Sequence, residues 1–523
     1  MKYLDTEKKV IKWFKELNPV YKTSFWISFA LINLAFLFHT VNFMFGDHDW
    51  NYVRSANYWS EGSFEGRPLH FLLQSIFFGG HVLPILNNIV SFASLALSGL
   101  LLANYWRVPK TTFNYTMMAV FVAILPFTMV WLFYAKDMLS NLSLPLFVIG
   151  GLWLADRPFV KKNIYAHIVA LVLFYFAFAS YAAVINLFGV VFLGGVLIAY
   201  VSDDKLTDII KQKLPAVIEI ILALAAYKIT LTVLHTATEY NTATITAETL
   251  PQKLSETLIV MFTQFTTPIP FMELKYKLLL LILCLFGVSM AIIKGGVLKA
   301  PLSIVIILAI VFASKFAFFI ADEQGSVLAE LENFAFVPRL DFYGLAYIYA
   351  LGLALVLSYS KAKWYKAGAV LAIVVTFMSG VRDMYAEKVW KLGFDAEMKA
   401  HERIVGRLEQ MPEFRIGQRY RLLQIGSLSL RENFYKEVKG EATSLDLLTT
   451  AFTPQFMSRI VYNFYYPDDI FVENVGIEAL SFAGREYLKK AKVWPATGSI
   501  FIDGDIIILV LTEEGLNKAR EKM

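Results

Sequence analysis

Apolar residues in this chain fall in long runs, without the strict alternation of a half-buried strand or the narrow stripe of a surface helix. About 20 mostly apolar residues, wound as a helix, cover the hydrocarbon thickness of a bilayer. Eleven such runs are predicted, near 24–45, 82–103, 113–133, 139–155, 164–181, 182–201, 214–235, 277–293, 301–320, 341–359 and 367–381. The fifth and sixth meet at Ser180-Tyr181 with almost no loop. One further apolar stretch, Leu69 to Phe78, is too short to span and ends at Gly79-Gly80. It reads as an interfacial or re-entrant helix, the alternative being an early start to the second span.

From about Arg382 the pattern changes, with lower hydrophobicity and dense charge. Arg421 to Ile425 and Ser499 to Leu511 read as strands, and 395–411 and 444–461 as helices. Asp503-Gly504 stands between two β-branched runs, a hairpin signal. The expected fold is a polytopic α-helical membrane protein, with about 11 transmembrane helices over 1–384 and a small extracytoplasmic α/β domain over 385–523.

Composition sharpens this reading. The chain is 57% hydrophobic and 17% charged, against about 45–50% and 25% for soluble domains, which excludes an ordinary soluble enzyme. A net charge of +5 gives no support for a nucleic-acid partner. The distribution of the basic residues is more telling, because cytoplasmic loops are enriched in them. With the N-terminus inside, the inner segments hold 19 Lys and Arg and the outer ones 6, before the C-terminal domain. An odd number of spans then puts that domain outside. The first apolar run is too long for the core of a cleavable signal, so none is expected. Cys284 is the single cysteine, which leaves no internal disulfide and no cysteine metal cluster.

Candidate chemistry concentrates in Gly46 to His70, the first external loop. Asp47, His48 and Asp49 directly follow the first span, at the height of the membrane surface. Partial desolvation there strengthens a carboxylate's pull on a hydroxyl proton, which suits a general base. The plain alternative is that they only mark the interface, and a divalent metal on Asp-His-Asp is a third reading. Arg54 and Arg67 follow and suit an anionic phosphate. Asp137, in the turn after the third span, is a candidate second acid over the same cavity. Lys315 and Arg339 stand where a lipid-linked phosphate would lie, with snorkelling or interfacial anchoring as the alternative. Lys228 and His235 admit the same two readings. No nucleotide-binding glycine loop, zinc-binding HExxH or nucleophile elbow occurs in a fitting context, which argues against an ATP-driven pump.

The acid pair with Trp50, Arg54 and Gly66-Arg67-Pro68 resembles the bacterial type II glucosyltransferase family of the GT-C class. Phe133-Tyr134 with Asp137, Leu142-Ser143, Ser180-Tyr181, Asn186-Leu187-Phe188 and the C-terminal Trp494-Pro495 and Gly498 extend the likeness over nearly the whole chain. The resemblance implies an inverting transferase of the bacterial inner membrane. It would take a sugar, usually glucose, from a polyprenyl-phosphate donor and pass it to a surface glycan on the external side. It also implies a base in the first loop, here Asp49 or Asp47, with Asp49 favoured because it precedes Trp50 as the family's second acid precedes its aromatic neighbour. Arg67, Arg339 or Lys315 would balance the departing phosphate, so no obligatory metal or other cofactor is expected. Two other functions stay open: a polymerase or ligase acting on lipid-linked oligosaccharide, and a transporter or flippase of lipid-linked sugar.

Overall fold

The computed structural model describes residues 18–42, 44, 66–132, 134–234, 248–266, 274–320, 341–359, 364–426, 462–463, 465–466 and 470–523. The chain divides into two compact units that part between Tyr385 and Ala386.

In the first unit every predicted apolar run contains helix, but not every run is one helix. The first gives α1 (Pro19–Ala35) and α2 (Leu37–Val41), interrupted at Phe36. Asn18 starts α1 by accepting the Val20 N–H on its side chain at 2.9 Å. A short α3 (Leu72–Phe78) ends at Gly79, whose φ of 61° supplies the left-handed cap that a side chain disfavours. α3 is therefore separate from α4 (Pro84–Tyr105), so the stretch from Leu69 is not an early second span. The third run gives α5 (Thr112–Ala123) and α6 (Met129–Leu132), parted around Pro126. Then come α7 (Ala135–Ala155), α8 (Ile164–Ser180), α9 (Ile185–Val201), α10 (Leu206–Val233), α11 (Leu250–Thr263) and α12 (Leu274–Gly295). The ninth run is broken at Ser314-Lys315 into α13 (Ala300–Ala313) and α14 (Phe316–Ile320). α15 (Leu345–Ser358) and α16 (Tyr365–Glu409) follow. Among the described residues eight helical stretches are long and apolar enough to cross a membrane.

These helices pack as a bundle in which α4 touches both α5 and α7, α8 lies between α7 and α10, and α12 lies along α15. The stretch Asp341–Ser358, which ends with α15, is 94% buried, whereas the apolar parts of α10 and α12 are 28% buried. Ile218, Ile221, Leu222 and Ile229 of α10 are exposed, as expected of a helix facing lipid tails. Small residues set the closest approaches: a Cβ on Gly287 would fall on the carbonyl oxygen of Gly352.

The second unit holds a four-stranded sheet, β1 (Tyr420–Ile425), β2 (Phe471–Asn474), β3 (Ile500–Asp503) and β4 (Ile506–Val510), in the order β2-β1-β4-β3. β1 pairs in parallel with β2 and β4, and β3 closes on β4 as an antiparallel hairpin. Ile404 and Leu408 of α16 cover Leu422, Ile507 and Leu509 on one face. On the other, Leu488 of α17 (Phe482–Lys490) and Leu516 of α18 (Glu513–Glu521) cover Leu423, Ile506 and Ile508. Covered on both faces, β4 is apolar at every position. The 444–461 helix expected from sequence lies outside the described residues.

Candidate active site

Residues 66–70, which lead into α3, are tied to the bundle at several points. The Tyr227 hydroxyl of α10 donates to the Gly66 carbonyl at 2.8 Å. The Leu69 N–H donates to the Ala179 carbonyl at 3.0 Å, and the His70 N–H to Arg67 O at 3.0 Å. The last turn of α8 thus acts as the rail on which this segment is fixed.

That rail exists because the chain breaks at Tyr181, whose φ of −161° and ψ of 107° are extended. The break sends Ser180 and Tyr181 to the segment from Gly66. The Arg67 guanidinium lies over the Tyr181 ring, 4.8 Å from its centroid. Tyr181 in turn packs on Trp131 and Tyr343, each with ring centroids 5.6 Å away. Tyr343 donates its hydroxyl to Asn141 Oδ1 at 2.8 Å, and Asn141 Nδ2 donates to the Asp137 carbonyl at 3.0 Å. The Trp131 indole N–H is buried and finds no hydrogen-bond partner among the described residues.

Asp137 lies in the first turn of α7, where the helix N-terminus favours its negative charge. Its Oδ1 is 2.9 Å from His70 Nε2, and His70 Nδ1 is 3.0 Å from the Ser180 carbonyl oxygen. His70 is 1% exposed and the Asp137 side chain 13%, so the carboxylate is the member of the pair nearer to solvent. A second polar chain steadies the same helix end. Gln74 of α3 donates to Asn87 Oδ1 at 3.3 Å, and Asn87 Nδ2 to the carbonyl of Ala135 at 3.1 Å.

Beside this cluster, just before α15, Asp341 forms a buried ion pair with Lys315; the two side chains are 0% and 1% exposed. The neighbouring Lys277 donates to the Gln264 carbonyl at 2.8 Å and is also fully buried. A charge so enclosed is tolerable only when paired and hydrogen-bonded. Lys315 therefore has its charge balanced within the protein, and a donor phosphate would have to join or displace Asp341 to reach it.

Of the sequence candidates, the structure brings Arg67 and Asp137 into one neighbourhood and sets Lys315 in its own ion pair. Lys228 is exposed on α10. Asp47, His48, Asp49, Arg54, His235 and Arg339 lie outside the described residues. Sequence reasoning missed His70, Tyr227, Asp341 and Tyr343. The signal for His70 was present: it is an isolated polar residue at the head of an apolar stretch, as Asp137 is the isolated acid of FYAKDMLS.

Comparison with known proteins bears on the same region. A search of curated proteins returns no match. A family model described as Glucosyl transferase GtrII matches residues 37–336, a span that holds Arg67, His70, Asp137, Tyr181, Tyr227 and Lys315. The match covers more than half of the chain, which therefore belongs to the GtrII glucosyl transferase family.

Proposed function

We propose that this glucosyltransferase takes its glucose from a polyprenyl-phosphate donor and passes it, with inversion, to a surface glycan on the external face of a bacterial inner membrane. Asp49 or Asp47 accepts the proton of the acceptor hydroxyl as its oxygen attacks the anomeric carbon. The bond from that carbon to the phosphate oxygen breaks, and the electron pair leaves with polyprenyl phosphate. Arg67 stabilises the charge growing on that phosphate. A single phosphate can be balanced by side-chain cations, so the reading needs no metal.

The observation that carries this reading is the gathering of Arg67 and Asp137 on one set of buried contacts around Tyr181 and Ser180. Arg67 belongs to the same sequence loop as the two aspartates, and Asp137 to the turn after the third span. Fixing such groups before substrate arrives is what lowers a barrier whose main cost is charge separation. The exposed apolar faces of α10 and α12 suit a protein bathed in lipid, from which a prenyl-linked donor enters.

The test is transfer of radiolabelled glucose from polyprenyl-phosphate-glucose to surface glycan or to water, by the full-length protein in nanodiscs containing EDTA. Wild type is expected to transfer with EDTA present. Either Asp47→Asn or Asp49→Asn should lose about 10²–10⁴-fold in kcat. Arg67→Ala should lose about 10²-fold, with part of it restored in Arg67→Lys. A wild type that transfers nothing from this or related polyprenyl-phosphate sugars, with or without added metal, overturns the reading in favour of a transporter.

A further inference from the structure

His70 has no assigned part in the reaction, yet both of its ring nitrogens are held. Its Nδ1 faces the Ser180 carbonyl at 3.0 Å, and a carbonyl oxygen only accepts, so Nδ1 carries a hydrogen. Its Nε2 lies 2.9 Å from Asp137 Oδ1. With Nδ1 already committed, a contact this short between Nε2 and a carboxylate oxygen holds one proton between the two atoms. Whether that proton rests on nitrogen or oxygen, the pair is neutral as a whole, which suits a ring that is 1% exposed.

We infer that His70 is a positioning residue for Asp137, fixing the carboxylate by this single shared proton so that it is presented to the sugar hydroxyls beside Arg67 and Tyr181. The inference rests on the glucosyl-transfer reading for the identity of those hydroxyls, and on geometry alone for the shared proton. The surroundings leave His70 little else to do. Phe71 packs edge-on against the imidazole with ring centroids 4.7 Å apart, and the ring is held at both nitrogens. Among the described residues, the charged and titratable groups around the pair include Arg67 on the segment before α3, Tyr181 at the break between α8 and α9, and Tyr343 before α15. Asn141, one turn along α7, holds the Asp137 main chain. Asp137 is thus fixed at its backbone by its own helix and at its side chain by an element 67 residues away.

Removing the shared proton leaves two lone pairs facing each other at hydrogen-bond distance, and the contact must open. Activity is therefore expected to fall on the alkaline side of its pH profile as the pair deprotonates. A glutamine at this position offers a permanent N–H to the carboxylate and cannot titrate. His70→Gln should keep kcat within several-fold of wild type and lose the alkaline limb. His70→Ala should lose about 10–100-fold in kcat, with KM for the donor within about twofold, as is usual when a group that orients a functional side chain is removed.

The experiment measures glucosyl transfer and thermal melting of full-length protein in detergent from about pH 6 to 10, for wild type, His70→Gln and His70→Ala. Wild-type melting should fall towards alkaline pH more steeply than that of His70→Gln, because only wild type has the shared proton to lose. An alkaline limb that persists unchanged in His70→Gln overturns the inference, as does an identical pH dependence of melting in the two proteins. Should wild type show no transfer at any pH, the transferase reading falls and the positioning role with it, while the melting comparison still decides whether the proton is shared.

Discussion

At the scale of single residues, the contrast between Lys315 and Arg67 shows how much a side chain's neighbours decide. Both were candidates for a donor phosphate, Arg67 as a cation of the first external loop and Lys315 as a cation near the external end of an apolar span. Lys315 is enclosed with Asp341, whereas Arg67 lies over the face of Tyr181. A similar pairing outside the bundle gives a testable pH effect. In the second unit Arg421 donates twice to Asp505, at 2.7 Å each, and these hydrogen bonds hold the Asp505 carboxyl below its ordinary value. A carboxyl depressed by folding adds stability above its unfolded pKa of about 3.9, and that stability is lost as pH falls through the lower folded value. Arg421→Gln should therefore speed amide exchange in β1 and β4 at pH 7, after correction for intrinsic rates. The difference from wild type should shrink as pH falls through the lowered folded value, because the carboxyl then becomes protonated in both. A difference that persists there would mean that Arg421 acts through packing instead. The contribution is expected to be small, because both side chains are substantially exposed.

At the scale of elements, runs of apolar residues located the helices well and their interruptions poorly. Hydropathy reports transfer to lipid and is blind to backbone breaks, so Phe36, the stretch around Pro126 and Ser314-Lys315 were read through as continuous spans. The break at Tyr181 was legible because two complete spans abut there. Gly79-Gly80 was legible because paired glycines have a conformational reason to end a helix, and the positive φ at both bears this out. The hairpin was also read correctly, one residue early: the two-residue loop is Gly504-Asp505, and Asp503 is the last residue of β3. The site was legible only in part. Arg67 and Asp137 stood out by charge, but the pairing of Asp137 with His70 depends on how α7 packs against the segment before α3, which no local pattern encodes. Helix packing offers its own prediction. Gly287 faces Gly352 so closely that a Cβ would strike backbone, and backbone cannot rotate away. Gly287→Val should cost at least the roughly 1–3 kcal/mol usual for overpacking and lower the melting temperature in detergent. Gly406→Val, where a Cβ meets nothing within 4 Å among the described residues, is the control for the loss of a glycine alone. Equal melting of the two variants would show that α12 and α15 can separate at little cost.

At the scale of the whole molecule, the distribution of charge and the single cysteine together make orientation measurable. Three of the inner-side cations predicted from sequence are paired with acids: Lys213 with Asp156, Arg107 with Asp204, and Lys299 with Asp203 at 2.7 Å. The positive-inside rule counts basic residues during insertion rather than net charge, so these acids do not weaken its forecast. Cys284 is buried and donates to the Ile348 carbonyl, so it should react little with a polar maleimide, and Cys284→Ala gives a cysteine-free background. Three exposed positions then report sides. Lys162→Cys, between α7 and α8, should be protected from an impermeant maleimide in intact cells and react after permeabilisation. Gln252→Cys, at the head of α11, and Lys518→Cys, in α18, should react in intact cells. The external donor and acceptor of the proposed reaction require the results at Lys162 and Gln252, because Arg67 and Asp137 belong to the same predicted side as Gln252. Labelling of Lys162→Cys alone in intact cells would put Arg67 and Asp137 inside, where the same carboxylate and guanidinium would have to act on a cytoplasmic substrate. Labelling of Gln252→Cys without Lys518→Cys would leave the site external but put the C-terminal unit in the cytoplasm, on the opposite side of the membrane from the proposed donor and acceptor.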